Sequence, residues 1–158
     1  MKNILVLMAV LFVLIFPNQT SLAEKQNKEC KTLEQIFKTK VQSEKNLCRV
    51  EIARKIIKPE IMGEKSSPES MDLGFHFAFE RVDEATMVIG EMALLQEEVN
   101  PVIDQLRKGG LEITAIHNHM MHEKPRIMYL HVQGKGDMIR QANMLINAIA
   151  ATKEQKHQ

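Results

Sequence analysis

The chain has 158 residues, of which 44% are hydrophobic, 26% charged and only 4% aromatic. That length and apolar share fit one domain with a packed core and exclude wholesale disorder. With 21 Lys and Arg against 20 Asp and Glu, neither nucleic acid nor an anionic membrane surface finds an electrostatic footprint, and few aromatics are present to stack on bases.

In chain order, Lys2 precedes an unbroken apolar run from Ile4 to Phe16, closed by Pro17. Ser21-Leu22-Ala23 then places small residues at the −3 and −1 positions before Glu24. This is the pattern of a secretory signal peptide over 1–23, cut after Ala23. The run spans about 20 Å as a helix, short of the roughly 30 Å hydrocarbon core, so no stable membrane insertion is expected after the cut. An uncleaved anchor is the competing reading. The mature chain is expected to be secreted or extracytoplasmic. Lys2 is the only charged residue ahead of the cut, so 20 basic and 20 acidic residues remain. Cys30 and Cys48 are the only cysteines. Outside the cytosol such a pair reads as a disulfide rather than a metal or redox centre, with two free thiols as the alternative.

Residues 24–31 read as a polar, flexible N-terminus ahead of one domain over 32–152. Thr32 to Gln35 matches a capping box, and Leu33, Ile36, Phe37 and Val41 recur at helical spacing. Cys48, Val50 and Ile52 alternate as a strand. Glu64–Ser70 reads as a loop. Phe75, Phe77 and Phe79 share one face of the next strand, with His76 on the other, and Thr86–Leu94 forms another. Asn100-Pro101 starts a helix that Gly109-Gly110 stops. Glu97 and Glu98 read as a solvated turn. Leu111, Ile113 and Ala115 alternate as a strand, and Arg126–Val132 follows as its partner. Gly134–Gly136 turns, and Asp137 caps a last helix with Met138, Ala142, Leu145 and Ile149 inward. Residues 153–158 read as a polar tail. This order defines an α+β fold, mainly an antiparallel sheet with helices packed on one face.

The chemistry-bearing cluster is His117-Asn118-His119-Met120-Met121-His122-Glu123, followed by Lys124-Pro125-Arg126. Residues two apart on a strand point to one side, so His117 and His119 can converge, with Glu123 returning from the loop. Two imidazoles and a carboxylate form a ligand set for zinc or another divalent ion. Copper(I) with Met120 and Met121 ranks below zinc. His122, Arg126, His131 and His76 are further pocket candidates. If Asn118 faces Arg126 across the hairpin, His117 faces Ile127, and His131 sits four residues, about 13 Å, away along the sheet. That register keeps His131 off a metal held by His117. A solvated, histidine-rich hairpin connection without a ligand remains the plain alternative.

The stretches Val88-Ile89-Gly90-Glu91, Leu95–Val102, Gly109–His119, Glu123–His131 and Gly136-Asp137 resemble the LppY/LpqO family of exported bacterial proteins, a domain of unknown function. The likeness is specific over Met87–Ala150 and looser back to Leu33, where Val50-x-Ile52-x-Arg54 resembles an earlier strand. It implies export and a shared fold, and no reaction. Two departures stand out: Glu91 where the family shows Asp, and Ile56 where it shows the Asp of Arg-x-Asp. Longer members carry two related copies, so a homodimer could replace the tandem in this single-copy chain. Three functions follow from the cluster: a small-ligand or divalent-metal-binding module, a metal-assisted hydrolase on an extracellular or cell-envelope substrate, and a structural interaction module without a ligand site. A metal with an open position in a walled cleft favours the enzyme, with Glu123 or His122 as base; a closed shell or a flat exposed loop favours the others.

Overall fold

The computed structural model describes residues 19–154, with side chains from Glu24 onward, so all but the last five residues of the expected signal peptide lie outside them. In chain order the elements are α1 (Gln19–Phe37), β1 (Val41–Glu44), β2 (Leu47–Ala53), β3 (Glu60–Ile61), β4 (Glu64–Lys65), β5 (Gly74–Val82), β6 (Ala85–Leu95), α2 (Val99–Gly109), β7 (Glu112–Asn118), β8 (Ile127–Gly136) and α3 (Met138–Ala150). Six strands form one sheet in the order β1-β2-β5-β6-β8-β7, and β3 pairs with β4. Every neighbouring pair is antiparallel. The α+β class expected from the pattern is the one observed. None of the helices among the described residues is long and apolar enough to cross a membrane.

Strand periodicity builds the core. Phe75, Phe77 and Phe79 project from β5 to one side and are fully buried there with Val50, Val88 and Met92. Leu33 and Phe37 of α1, Val102 and Leu106 of α2, and Leu145 and Ile149 of α3 pack against them. Each such side chain contributes roughly 1.5–3 kcal/mol on burial. Gly90 lies in this layer because a Cβ there would stand 2.5 Å from the Phe77 ring. A smaller cluster forms on the opposite face, where Ile57, Met71 and Leu73 cover Ala93, Ile127 and Tyr129. The segment between β2 and β5 thus roofs one end of that face and leaves the rest open.

Several local expectations are corrected. The chain from Glu24 to Glu29 is helical rather than loose, since no Gly or Pro interrupts Gln19–Phe37. Cys30, Leu33 and Phe37 give that helix its buried stripe. It ends at Lys38, which takes a left-handed φ of 52°, so Val41 falls on a strand and not on the helix. Cys30 and Cys48 are disulfide-bonded, tying α1 to β2. The loop expected at Glu64–Ser70 contains β4. Gly134–Gly136 is not a turn but the end of β8, paired with Thr86–Val88. Gly134 serves close packing there: a Cβ would meet Leu111 Cδ2 at 2.5 Å. The helix stop at Gly110, φ 86°, and the Asp137 cap, which accepts from Arg140 N at 2.8 Å, are as expected.

Glu98 is not on a solvated turn. It is 3% exposed and receives Arg54 in a two-pronged pair, Nη1 to Oε2 and Nη2 to Oε1, both at 2.9 Å. Arg54 is itself fully buried, donates to the Ala93 carbonyl at 2.6 Å and to Glu154 at 3.2 Å, and lies 5.0 Å over the Phe75 ring. Glu154, in the segment read as tail, is buried against it. Glu97 does face solvent, where it pairs with Lys153 at 2.5 Å.

Candidate metal centre

The open face of the sheet carries the site. One row across the strands reads Glu51, His76, Glu91, His131 and Ala115. The next position along β7 and β8 pairs His117 with Tyr129. A β-bulge between Ile113 and Ala115 sets this arrangement. Ile113 faces Val132 toward the helices, but the extra residue turns Ala115 and His117 onto the open face.

This register overturns the one assumed from sequence. His117 lies opposite Tyr129 rather than Ile127, and His131 opposite Ala115 rather than Ile113. His131 is therefore diagonal to His117 instead of four residues away, and their Nε2 atoms are 3.0 Å apart. The hairpin connection is longer than assumed because Glu123 organises it. Its Oε1 accepts from Met120 N at 3.3 Å and Ile127 N at 3.1 Å, and its Oε2 meets His119 Nδ1 at 2.8 Å. Glu123 is 8% exposed, with both oxygens engaged.

The ligand atoms of Glu91, His117 and His131 all lie within 4.8 Å of one another, a group able to hold a metal ion. Among the described residues it is the one such group of three found. His131 Nε2 is 3.2 Å from Glu91 Oε2. Donor atoms around a tetrahedral ion at 2.0–2.1 Å stand about 3.3 Å apart; two of the three spacings here, 3.0 and 3.2 Å, are close to this, and the third lies within 4.8 Å. His117 Nδ1 reaches the Asn118 carbonyl at 3.2 Å. With the proton donated there, Nε2 presents its lone pair to the site. His131 Nε2 meanwhile faces both that lone pair and a carboxylate oxygen. One N–H cannot satisfy both well, whereas a cation between the three satisfies all.

The sequence candidates thus divide. His117 and His131 come together, and Glu91 completes them. His119 and Glu123 pair with each other, outside that group. Tyr129 stands between, stacked on His119 at 4.7 Å and on His117 at 6.0 Å between ring centres. His122 is exposed in the loop with a φ of 65°. Arg126 is exposed and forms no ion pair among the described residues. His76 sits opposite Glu91; its Nε2 is buried without a hydrogen-bond partner, 3.6 Å from Asp72 Oδ1. Met120 and Met121 are exposed on the loop. Glu91 is the member of this group absent from the sequence candidates. The available signal was a carboxylate on an otherwise apolar strand, at the position where the resembling family carries Asp.

Tyr129 donates to the Asp72 carbonyl at 2.9 Å. Burial first, then the nearby carboxylates of Glu91, Asp72 and Glu123, hold its phenol well above the usual tyrosine range. The unfolded chain therefore ionises before the folded one as pH rises. This group's stabilising contribution is complete below about pH 10 and is lost as pH climbs from there through the folded value. Chelator-treated protein should lose stability more steeply above pH 10 than Tyr129→Phe, measured by urea unfolding at successive pH values. Equal slopes would remove this role for Tyr129.

An α+β domain with a histidine–carboxylate cluster on an uncovered sheet face is the class defined so far. The chain belongs to the family described as Domain of Unknown Function (DUF1259), whose model matches residues 31–151. No curated protein and no solved structure matches the chain.

Proposed function

We propose that this is an exported LppY/LpqO-type domain that binds one divalent metal ion, zinc by the chemistry of its donors, through Glu91, His117 and His131. The observation that carries this reading is His131 Nε2, held 3.0 Å from His117 Nε2 and 3.2 Å from Glu91 Oε2. Two imidazoles and one carboxylate leave a fourth position free. His117 is exposed, and the other two are partly so. The ion would sit on an open sheet face rather than in a walled cleft, which favours a binding module over the hydrolase. The disulfide and the signal-like leader support an extracytoplasmic setting.

Isothermal titration of the mature, metal-stripped protein with zinc should give one equivalent. Glu91→Gln should weaken binding more than the roughly 10–100-fold typical for loss of a group that merely supports a ligand. Substoichiometric uptake, or an isotherm unchanged in Glu91→Gln, would contradict the assignment.

A further inference from the structure

From Glu91 and His131 a groove of about 260 Å³ runs across the open face toward β2. Arg49, Ala78 and Ile89 form one cross-strand row along it, beside the row of Glu51, His76 and Glu91. Ala78 offers only a methyl group between Arg49 and Ile89, which leaves a depression there. The Arg49 side chain is exposed and forms no ion pair among the described residues.

Charge decides what the groove admits. Without an ion, Arg49 stands against Glu51 and Glu91, a net charge of −1. A divalent ion at the site reverses this to +1. An anion is therefore accepted only by the metal-loaded protein. The ion is held from β6, β8 and β7, so Arg49 on β2 lies at least two strand spacings, about 10 Å, across the sheet and one row along it. A single carboxylate bound to the ion cannot also reach Arg49; a short dicarboxylate can.

We infer that the loaded site binds a small dicarboxylate, one end on the free coordination position and the other paired with the Arg49 guanidinium. This rests on the metal reading above. The test uses the mature protein loaded with cobalt(II), whose visible spectrum reports the coordination shell. Succinate should change that spectrum at a concentration at least about 10-fold lower than acetate, as expected for one added charge-assisted pair. Arg49→Gln should bind cobalt equally well and lose the preference. By linkage, saturating succinate should raise cobalt affinity by the factor that cobalt raises succinate affinity. Failure to bind cobalt removes the metal reading and this one with it. Cobalt bound normally, with succinate and acetate equivalent or with the preference intact in Arg49→Gln, overturns the dicarboxylate site alone.

Discussion

Replacing Glu98 by alanine is expected to cost about 3–5 kcal/mol of unfolding free energy, the range for breaking a buried ion pair from one side. The reason is the charge left behind. Arg54 is fully buried, and Glu98 supplies two of its contacts at 2.9 Å. The remaining carboxylate, Glu154, reaches only Nε, at 3.2 Å. Glu98 also accepts from Leu95 N at 2.9 Å and Lys153 N at 2.8 Å, so its loss strips backbone donors at the end of β6 and after α3. Removing both partners should be milder than removing Glu98 alone: Arg54→Met with Glu98→Leu keeps the volume and leaves no unpaired guanidinium in the interior, while Glu154 keeps Lys55 N as a donor at 3.0 Å. Urea unfolding of the three proteins measures the difference. A loss below about 1 kcal/mol in Glu98→Ala, within the range of a surface pair, would contradict the buried pairing.

Removing the disulfide is the second large effect. A double Cys30→Ser, Cys48→Ser variant should be about 3 kcal/mol less stable than the oxidised protein, by the chain-entropy estimate for a loop of 18 residues. The bridge fastens α1 to the strand beside Phe79, and both sulfurs lie in the core. Two serine hydroxyls placed there add a desolvation cost. The site lies on the opposite face, so the variant should fold at moderate denaturant-free temperatures and retain its metal stoichiometry. Equal unfolding midpoints for the oxidised and double-serine proteins would show that the bridge constrains nothing.

The fold was legible where one periodicity dominated. The three phenylalanines of β5 and the spaced apolar residues of α3 can be read from spacing alone, because a buried face repeats every two or every 3.6 residues. The same rule failed at β7. Leu111, Ile113 and Ala115 alternate in sequence as though they share a face, yet the bulge turns Ala115 away. A bulge carries no fixed residue signature, and a shift of one or two positions decides which histidines meet. Glu98 and Arg54 were hidden for another reason. Charged residues are read as solvated, and only the tertiary fold shows that these two, 44 residues apart, find each other in the interior. Likewise Glu123, grouped with the histidines by proximity in sequence, is occupied with the backbone of its own loop.

The most direct measurement compares zinc affinity in His131→Ala and His119→Ala beside the unaltered mature protein. The arrangement of β7 and β8 predicts that His131→Ala loses more than about 100-fold in affinity, while His119→Ala stays within about 10-fold. The opposite order, with His119 essential and His131 dispensable, would contradict the register on which the proposed metal centre is built.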